Sequence, residues 1–462
     1  MELKDTKRVY FAGIGGIGMA ALARYYLSLG LPVAGYDRTE SVLTEELAAE
    51  GAAVSYADSM DAIPEAFRNP EGTLVVYTPA VPDSNVPLSF FRQGGFFVRK
   101  RAWVLGQITR SSRSLCFSGT HGKTTTSSMA AHIMHLSEAG CNAFLGGIMR
   151  GSYNSNLVLD PGTDYSVVEA DEYDRSFHQL TPYVAVVNAT DPDHLDIYGT
   201  EEAYLESFAH FTELIRPDGA LLMRTGLKLR PRPAEGVRVF TFGRGEGDYR
   251  ADNVRTADGR MFFDFTGPRG TITDIELSVP VDVNVDNATA ALAAVDIAGI
   301  LTPELAREAM ASYPGVERRF EFHLREDGPD GRVVIDDYAH HPDEISRSIA
   351  SVRALYPGRR LTVAFQPHLY SRTRDFAAEF AAALDGADSI VLTDLYPARE
   401  EPIEGVSSRI IFDRLETADK VMISKEDFVD TMKNRNFEIL LTLGAGDLSL
   451  SVPTLVRELK AR

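Results

Sequence analysis

The chain has 462 residues, of which 44% are hydrophobic and 24% are charged, and its formal net charge is −19. This length exceeds what one hydrophobic core usually organises, so we expect two or three globular domains. The acidic balance argues against a nucleic-acid partner, because binding a phosphate backbone needs clustered Lys and Arg. No apolar run approaches the roughly 18 residues of a membrane-spanning helix, and no signal-type leader is apparent. We therefore expect no membrane partner and a cytoplasmic location.

The first segment has the pattern of a βαβ unit. A strand over residues 7–12 leads into G-I-G-G-I-G at 13–18, which opens a helix from Met19 to Leu29. A second strand over residues 31–37 ends in an acidic residue, Asp37. This matches the G-x-G-x-x-G fingerprint with a distal carboxylate, in which a pyrophosphate lies at the helix start. The match favours a nucleotide or nucleotide-sugar diphosphate but does not by itself indicate NAD.

The strongest indication of a ligand-binding site is a glycine-flanked loop over residues 119–125, G-T-H-G-K-T-T. It lies between a short apolar strand and a segment with helical periodicity. Glycines let backbone N–H groups approach an anion closely, and the helix start adds the positive end of its dipole. Lys123 can reach the β- and γ-phosphates, and the Thr124 hydroxyl can bind Mg²⁺. The standard P-loop would need glycine where Phe117 stands, so this is a shorter form of a nucleoside triphosphate site.

Acidic residues follow two further strands of the central segment. Strand 165–169 ends in E-A-D-E-Y-D at 169–174, and strand 183–187 leads into D-P-D-H-L-D at 191–196. Ligands of open α/β sheets lie beyond the carboxyl ends of the strands, so these acids can reach a metal bound to the triphosphate. Residues 225–280 differ, with prolines and short alternating runs that predict an antiparallel β appendage. The segment N-V-D-N at 284–287 is predicted to precede an Ala-rich helix that ends near Ala298, and a second helix is predicted from Thr302 onward.

The last third predicts another α/β unit. Strands over residues 333–336, 361–365, 389–392 and 439–443 alternate with helical segments. The polar motifs D-D-Y-A-H-H-P at 336–342 and Q-P-H-L-Y-S-R-T-R at 366–374 again follow strand ends, which favours a site over a structural role. The two cysteines, Cys116 and Cys141, lack the spacing of a zinc site, so we interpret them as small core residues.

Seven motifs in this order resemble those of the Mur ligases, the ATP-dependent amide-forming enzymes of peptidoglycan precursor synthesis. Besides the segments at 13–19, 119–125, 169–174 and 191–196, they include G-V-E-R-R-F-E at 315–321, the motif at 336–342 and F-Q-P-H-L-Y-S-R-T-R at 365–374. The resemblance covers essentially the whole chain. It implies an α/β fold of three domains: a Rossmann-like UDP-sugar-binding domain (1–105), a central P-loop ATPase domain (106–313) and a Rossmann-like amino-acid-binding domain (314–462).

The resemblance also implies an activity. It is strongest to the members that join L-alanine to the lactyl carboxylate of UDP-N-acetylmuramate, through an acyl phosphate, with ATP and Mg²⁺ as cofactors. We expect small-molecule substrates, no nucleic acid, no membrane, and a monomer or a homodimer. One alternative is the recycling ligase, which joins the tripeptide L-Ala-γ-D-Glu-diaminopimelate to the same sugar nucleotide. A nicotinamide-dependent oxidoreductase would leave the loop at 119–125 unexplained, and a non-catalytic UDP-sugar sensor would not need metal and phosphate ligands.

The resemblance assigns roles residue by residue. The catalytic residues it implies are Lys123, His194, Arg319, His340 and Arg372. Contacts to ATP are implied for Gly119, Thr120, Gly122, Lys123, Thr124, Thr125, Asn284, Asn287 and Arg319. Contacts to the sugar nucleotide or the amino acid are implied for Gly15, Gly16, Ile17, Asp37, Thr78, Arg101, His121, Tyr338, His340 and Arg372. The implied metal ligands are Thr124, Glu169 and His194, and the base for the incoming amine is left open between His194 and His340.

Two motifs depart from the family pattern at three positions. The adenine-side motif usually reads P-G-x-H-N, whereas residues 280–284 read P-V-D-V-N, with Val281 in place of the glycine and Val283 in place of the histidine. Adenine must therefore be held differently. The third-domain motif usually has arginine after F-Q-P-H, whereas this chain has Leu369, which removes one expected guanidinium contact to the amino-acid carboxylate.

Overall fold

The structure, a computed structural model, describes residues 5–192, 195–257, 260–326, 328, 331–398 and 400–461. These residues form three β-sheets, one in each segment that the sequence marks as α/β. Contacts divide the chain into two compact units. The first comprises Met1–Asn253, Phe263–Glu276 and Val285–Pro314, and the second comprises Val254–Phe262, Leu277–Asn284 and Gly315–Arg462. The boundaries expected near residues 105 and 313 stay predictions.

The first sheet is parallel, with strand order β3-β2-β1-β4-β5. This is the order of a Rossmann fold, so the predicted class of the first segment is confirmed. The strands are β1 (Arg8–Ala12), β2 (Val33–Tyr36), β3 (Ala53–Ser55), β4 (Thr73–Tyr77) and β5 (Phe97–Lys100). The helices are α1 (Ile17–Ser28), α2 (Val42–Ala49), α3 (Val86–Gln93) and α4 (Arg101–Ser111).

The second sheet has ten strands in the order β15-β14-β13-β12-β11-β10-β6-β9-β7-β8. They are β6 (Arg113–Ser118), β7 (Asn142–Met149), β8 (Ser155–Leu159), β9 (Tyr165–Glu169), β10 (Val184–Val187), β11 (Ala220–Arg224), β12 (Arg238–Arg244), β13 (Tyr249–Ala257), β14 (Arg260–Gly267) and β15 (Gly270–Leu277). Strand β6 lies between β9 and β10 and is parallel to both. The glycine loop after β6 therefore emerges between the two strands whose ends carry acidic residues.

The expected antiparallel appendage at 225–280 is wrong for its first part. Strand β12 pairs in parallel with β11 and also with β13, so the central sheet continues outward. This arrangement covers the edge of β11, whose unpaired N–H and C=O groups would otherwise be exposed. The helices of this region are α5 (Lys123–Leu136), α6 (Leu195–Tyr198), α7 (Glu201–Glu213), α8 (Asp282–Ile297) and α9 (Pro303–Ser312).

One continuous hydrophobic core joins the first two sheets. It runs from Val9 and Phe11 of β1 through Met19 of α1 to Phe144 of β7 and Val168 of β9. Burial of this kind contributes roughly 25 cal/mol per Å² of apolar surface, so the two sheets stabilise each other. Both cysteines are fully buried and unpaired, as predicted for core residues.

The third sheet has the order β16-β17-β21-β18-β19-β20. Strand β16 is antiparallel to β17 and the other pairs are parallel, which confirms a Rossmann-like third segment. The strands are β16 (Glu321–Arg325), β17 (Val333–Asp337), β18 (Leu361–Phe365), β19 (Ser389–Leu392), β20 (Lys420–Met422) and β21 (Ile439–Leu443). The helices are α10 (Pro342–Leu355), α11 (Tyr370–Asp375), α12 (Ala377–Leu384), α13 (Arg409–Phe412), α14 (Phe428–Asn434) and α15 (Val452–Lys460). Across the described ranges, every helix is too short or too polar to span a bilayer.

The buried imidazole of His132 gives the stability of the first unit a predictable pH dependence. Its Nδ1 lies 2.7 Å from the Tyr153 hydroxyl oxygen and its Nε2 lies 3.0 Å from the Ser312 hydroxyl oxygen. Burial, with His135 acting in the same direction, lowers the pKa of His132 from 6.5 to about 4. Between these values the unfolded chain binds a proton that the folded chain does not. The free energy of unfolding should therefore fall by about 2 kcal/mol from pH 7 to pH 5 through this group.

Urea unfolding of wild type and His132→Gln at pH 7 and pH 5 tests this expectation. The variant is expected to be less stable at pH 7, because two buried hydrogen bonds are disturbed. Its loss of stability between pH 7 and pH 5 should be about 2 kcal/mol smaller than that of wild type. The same loss in both proteins would show that His132 does not cause the pH dependence.

Candidate active site

The loop after β6 has the backbone of an anion-binding site. Gly119 and Gly122 have φ of +129° and +81°, which L residues with a side chain rarely adopt. A Cβ on Gly119 would lie 2.7 Å from the Ala189 backbone nitrogen, so glycine is also required for space. Helix α5 begins at Lys123 without any side-chain cap. Its first N–H groups are therefore available to an anion such as a phosphate.

The ammonium of Lys123 is held at this loop by two oxygen atoms. Its Nζ donates to the Gly119 carbonyl oxygen and to Glu172 Oε1, both at 2.8 Å. The Glu172 side chain is fully buried, and its Oε2 has no hydrogen-bond partner among the described residues. Burial raises the pKa of Glu172, and the nearby Lys123 opposes that shift. The sequence placed Glu172 only among the acids that can reach a metal, and it did not predict the ion pair with Lys123.

Two of the three predicted metal ligands lie side by side. The Thr124 side chain hydrogen-bonds Glu169, and the Gly146 N–H donates to Glu169 Oε2 at 3.0 Å. A Cβ on Gly146 would lie 2.4 Å from that oxygen, so the glycine makes room for the carboxylate. Burial raises the pKa of Glu169, and Lys123 opposes the shift.

Hydroxyl and carboxylate oxygens are the donors that Mg²⁺ prefers, and Mg²⁺ at phosphate sites often uses only one or two protein ligands. The pair Thr124 and Glu169 fits such an ion. The third predicted ligand, His194, lies outside the described residues. Within the described ranges, no cluster of three or more His, Cys, Asp or Glu could hold a metal.

A network of buried polar side chains lies against the loop at 119–125. Asn188 Nδ2 donates to Thr126 Oγ1 at 2.9 Å, and Thr126 Oγ1 donates to Asn287 Oδ1 at 3.2 Å. Asn287, a predicted adenine-side contact, therefore lies against the loop, where a Cβ on Gly122 would be 2.5 Å from its Oδ1. Sequence reasoning missed Asn188 and Thr126, because the hydrogen bonds join residues from distant parts of the chain.

Of the remaining predicted residues of the loop, Thr120 makes hydrogen bonds within the protein, and His121 and Thr125 are at least partly exposed to solvent. The Thr120 hydroxyl donates to the Asp191 carbonyl oxygen at 2.7 Å and lies 3.0 Å from the Tyr204 hydroxyl oxygen. His121 is exposed and Thr125 is partly exposed. A contact of either residue with ATP or substrate stays a prediction.

The glycine turn of the first sheet brings the predicted UDP contacts together. The Gly15 N–H donates to Asp37 Oδ2 at 2.8 Å. Three glycines of the turn lie so close to predicted contacts that a side chain would collide with them. A Cβ added to Gly13 would lie 2.7 Å from the Thr78 side chain, and one added to Gly15 would lie 3.0 Å from the Asp37 side chain. A Cβ added to Gly18 would lie 2.8 Å from the Arg101 side chain. Gly16 is the N-cap of α1, which begins at Ile17 without a side-chain cap. The turn thus offers open helix N–H groups beside an arginine, which suits a diphosphate.

A narrow crevice in the first unit brings two of these assignments together. It is lined by Arg101, Glu169, Asp171 and Phe177, among others. A predicted sugar-nucleotide contact and a predicted metal ligand therefore face the same space.

In the second unit, four predicted residues form one cluster. The rings of Tyr338 and His340 lie 5.1 Å apart, and the Arg319 guanidinium lies 5.1 Å from the centre of the Tyr338 ring. His340 Nδ1 lies 3.0 Å from the Tyr338 carbonyl oxygen, a contact in which Nδ1 carries the hydrogen. Burial lowers the pKa of His340, Glu344 opposes the shift and Arg372 adds to it. Arg372 Nη1 is buried without a hydrogen-bond partner among the described residues, so it can receive a carboxylate.

Three further residues of the second unit, Arg318, Leu369 and Asn284, belong to motifs that the sequence singled out. Arg318, to which the sequence assigned no role, donates to the carbonyl oxygens of Gly444 and Gly446 at 2.8 and 2.9 Å, which is a structural role. Leu369 has φ of +71° and is the N-cap of α11. Asn284 is buried and its Nδ2 donates to the Val279 carbonyl oxygen at 3.2 Å. Its predicted contact with adenine stays a prediction.

Comparison with protein-family models gives matches along most of the chain. Residues 8–113 match the model described as Mur ligase family, catalytic domain. Residues 117–295 match the Mur ligase middle domain, and residues 318–449 match the Mur ligase, glutamate ligase domain. The chain therefore belongs to the Mur ligase family, and the three-domain α/β architecture expected from the sequence is confirmed.

Individual members of the family show which kind of Mur ligase this chain is similar to. The UDP-N-acetylmuramate–L-alanine ligase of Parabacteroides distasonis is 55% identical over 449 residues, which is 97% of this chain and 96% of the relative. The enzyme of the same name from Phocaeicola vulgatus is 52% identical over 454 residues, 98% of each chain. Among solved structures, the UDP-N-acetylmuramate-alanine ligase of Thermotoga maritima has a TM-score of 0.81 at 27% identity, covering 98% of this chain and 99% of that one.

Proposed function

We propose that the chain joins L-alanine to the lactyl carboxylate of UDP-N-acetylmuramate, with conversion of ATP to ADP and phosphate. The observation that carries the reaction class is the glycine loop that presents Lys123 at the uncapped start of α5, with Thr124 hydrogen-bonded to Glu169. Arg101 and Glu169 border one narrow crevice of the same compact unit, so the predicted sugar-nucleotide contacts and the phosphate loop are neighbours. The identity of the substrates is inferred from the relatives that share about half of all residues over nearly the full chain.

The reaction runs in two steps. A carboxylate is a poor acyl donor, so its oxygen first attacks the γ-phosphorus of ATP, and ADP leaves with the electrons of the broken P–O bond. The amine of L-alanine then attacks the carbonyl carbon of this acyl phosphate, loses a proton and expels phosphate. Transfer to an anionic nucleophile needs charge neutralisation and in-line positioning above all. Lys123 supplies a positive charge at the loop, and the open N–H groups of α5 hold the phosphates.

Thr124 and Glu169 would hold Mg²⁺, which supplies further neutralisation of phosphate charge when it is bound. Arg372 would bind the carboxylate of L-alanine through its unpartnered Nη1. Of the two candidates for the amine base, His340 lies within the described residues. Its lowered pKa keeps the imidazole unprotonated at neutral pH, which is the state that a base requires.

Phosphate release tests the proposal and separates it from the alternatives. The wild-type protein is supplied with ATP, Mg²⁺ and UDP-N-acetylmuramate, and L-alanine is compared with L-Ala-γ-D-Glu-diaminopimelate. We expect release that depends on L-alanine. Release that depends on the tripeptide alone would identify a recycling ligase, and no release with either acceptor would favour a sensor that does not turn over.

A further inference from the structure

The side chain of Asn156 joins the edge of the central sheet to the start of α1. Asn156 lies on β8, the last strand at that end of the sheet, and its exposed fraction is 0%. Its Nδ2 donates to the Ile17 carbonyl oxygen at 2.5 Å, and its Oδ1 accepts from Arg24 Nη1 at 3.4 Å. Ile17 is the first residue of α1, directly after the glycine turn. A single buried amide thus contacts α1 at its first turn and again two turns later.

Arg24 extends this connection to α2. Its Nε donates to both carboxylate oxygens of Glu50, at 2.9 and 3.0 Å, and its Nη2 donates to Glu46 Oε2 at 2.6 Å. The Arg24 side chain is only 11% exposed, whereas the Glu46 and Glu50 side chains are 39% and 40% exposed. Helices α1 and α2 therefore share one polar anchor on β8, and the aromatic pair Tyr25 and Phe144 packs beside it with 5.5 Å between ring centres.

We propose that Asn156 is a positioning residue for the ligation reaction. It fixes the first turn of α1, and with it a sugar nucleotide held on the glycine turn, relative to the central sheet that carries the phosphate loop. This inference rests on the proposed function. Phosphoryl transfer needs the attacking carboxylate oxygen close to the γ-phosphorus and in line with it, and a misplacement of about 1 Å can cost about 10²-fold in rate. Loss of the anchor should thus lower kcat and leave the binding of each substrate nearly unchanged.

The test compares two variants of Asn156 with a matched control. Asn156→Leu removes both hydrogen bonds at similar volume, and Asn156→Asp removes the donor to Ile17 but can still pair with Arg24. The control is Asn85→Leu, because Asn85 is also buried and its side chain also makes hydrogen bonds, to Asp58 and to the start of α3. Loss of a helix cap lowers stability, so this control reports what destabilisation alone does to turnover.

Turnover is measured by phosphate release, and binding by the fluorescence of Trp103, the single tryptophan of the chain, titrated with UDP and with UDP-N-acetylmuramate. We expect kcat to fall at least tenfold in both Asn156 variants, with dissociation constants within threefold of wild type and kcat of Asn85→Leu within twofold. Equal kcat in the Asn156 variants and the control would overturn the proposal. A fall in kcat that is matched by an equal loss of UDP binding would also overturn it.

Amide hydrogen exchange of residues 17–28 provides a readout that does not depend on activity. Exchange should be faster in both Asn156 variants than in wild type or in Asn85→Leu at the hydrogen-bonded amides from Met19 onward, the first of which donate to the Gly16 carbonyl oxygen, and unchanged exchange there would contradict the anchoring role. Failure of the wild type to release phosphate with L-alanine would refute the proposed function. In that case hydrogen exchange still decides whether Asn156 anchors α1.

Discussion

Replacing Lys123 by alanine is expected to lower kcat by about 10³-fold, while the binding of UDP and of UDP-N-acetylmuramate stays within threefold of wild type. In the proposed reaction the ammonium is the positive charge that the loop offers to the transferring phosphoryl group, and removing one such contact typically costs about 10²- to 10³-fold or more. The predicted UDP contacts Asp37, Thr78 and Arg101 gather at another turn, that of the first sheet, so their site should not change. Phosphate release and Trp103 fluorescence measure the two quantities.

Two controls separate the role of this charge from stability. Lys100→Ala removes an exposed lysine that pairs with Asp174 at 3.2 Å, and it should leave kcat within twofold. Lys123→Ala also leaves the buried Glu172 carboxylate without its partner, which by itself destabilises the fold. The double variant Lys123→Met, Glu172→Gln removes both charges together, and it should be as inactive as Lys123→Ala but more stable. Equal losses of turnover and of UDP binding in Lys123→Ala would contradict the separate placement of the two sites.

Replacing Gly119 by alanine is expected to lower kcat/KM for ATP by at least about 10²-fold. Two effects add at this position. The φ of +129° is unfavourable for alanine, and the added Cβ would lie 2.7 Å from the Ala189 backbone nitrogen. Backbone cannot rotate away as a flexible side chain can, so the loop must shift and its N–H groups lose their alignment with the phosphates.

Gly162→Ala is the matched control for this substitution. Gly162 also has a positive φ, +76°, but a Cβ there would meet nothing within 4 Å. It should cost about 1–2 kcal/mol of stability through backbone strain and leave turnover unchanged. If Gly119→Ala affects only stability, and to the same degree as Gly162→Ala, the contact with Ala189 does not shape the loop. KM for ATP and thermal unfolding of both variants distinguish these results.

Much of the fold could be predicted because the signals are local. Strands β9, β18, β19 and β21 begin and end where the sequence pattern predicted, since buried parallel strands are apolar runs with polar residues at both ends. The glycine turn and the phosphate loop were equally visible, because their glycines, lysine and hydroxyls are adjacent in sequence. The expectation at 225–280 failed in part because short alternating strands do not reveal whether their neighbours run parallel.

The partners of the site residues could not be predicted in the same way. Lys123 and Glu172 are 49 positions apart, Thr126 and Asn287 are 161 apart, and Ile17 and Asn156 are 139 apart. The periodicity of apolar residues along the sequence does not reveal such pairs, because the order of the strands in the sheet determines which distant residues become neighbours. The burial of Cys116 and Cys141 could be predicted without knowledge of the strand order, since small apolar residues within apolar runs are buried in almost any arrangement.

The amino-acid sequence by itself determined the family and the three α/β segments, and it predicts the chemistry of the loop at 119–125, because each of these follows from residues that are close together along the chain. Tertiary structure decided which carboxylate holds Lys123, which glycine makes room for Glu169, and that Arg318 donates to backbone carbonyl oxygens. It also decided that β8 presents Asn156 to the start of α1. These choices depend on the packing of distant segments, which brings atoms within about 3 Å that no local pattern relates.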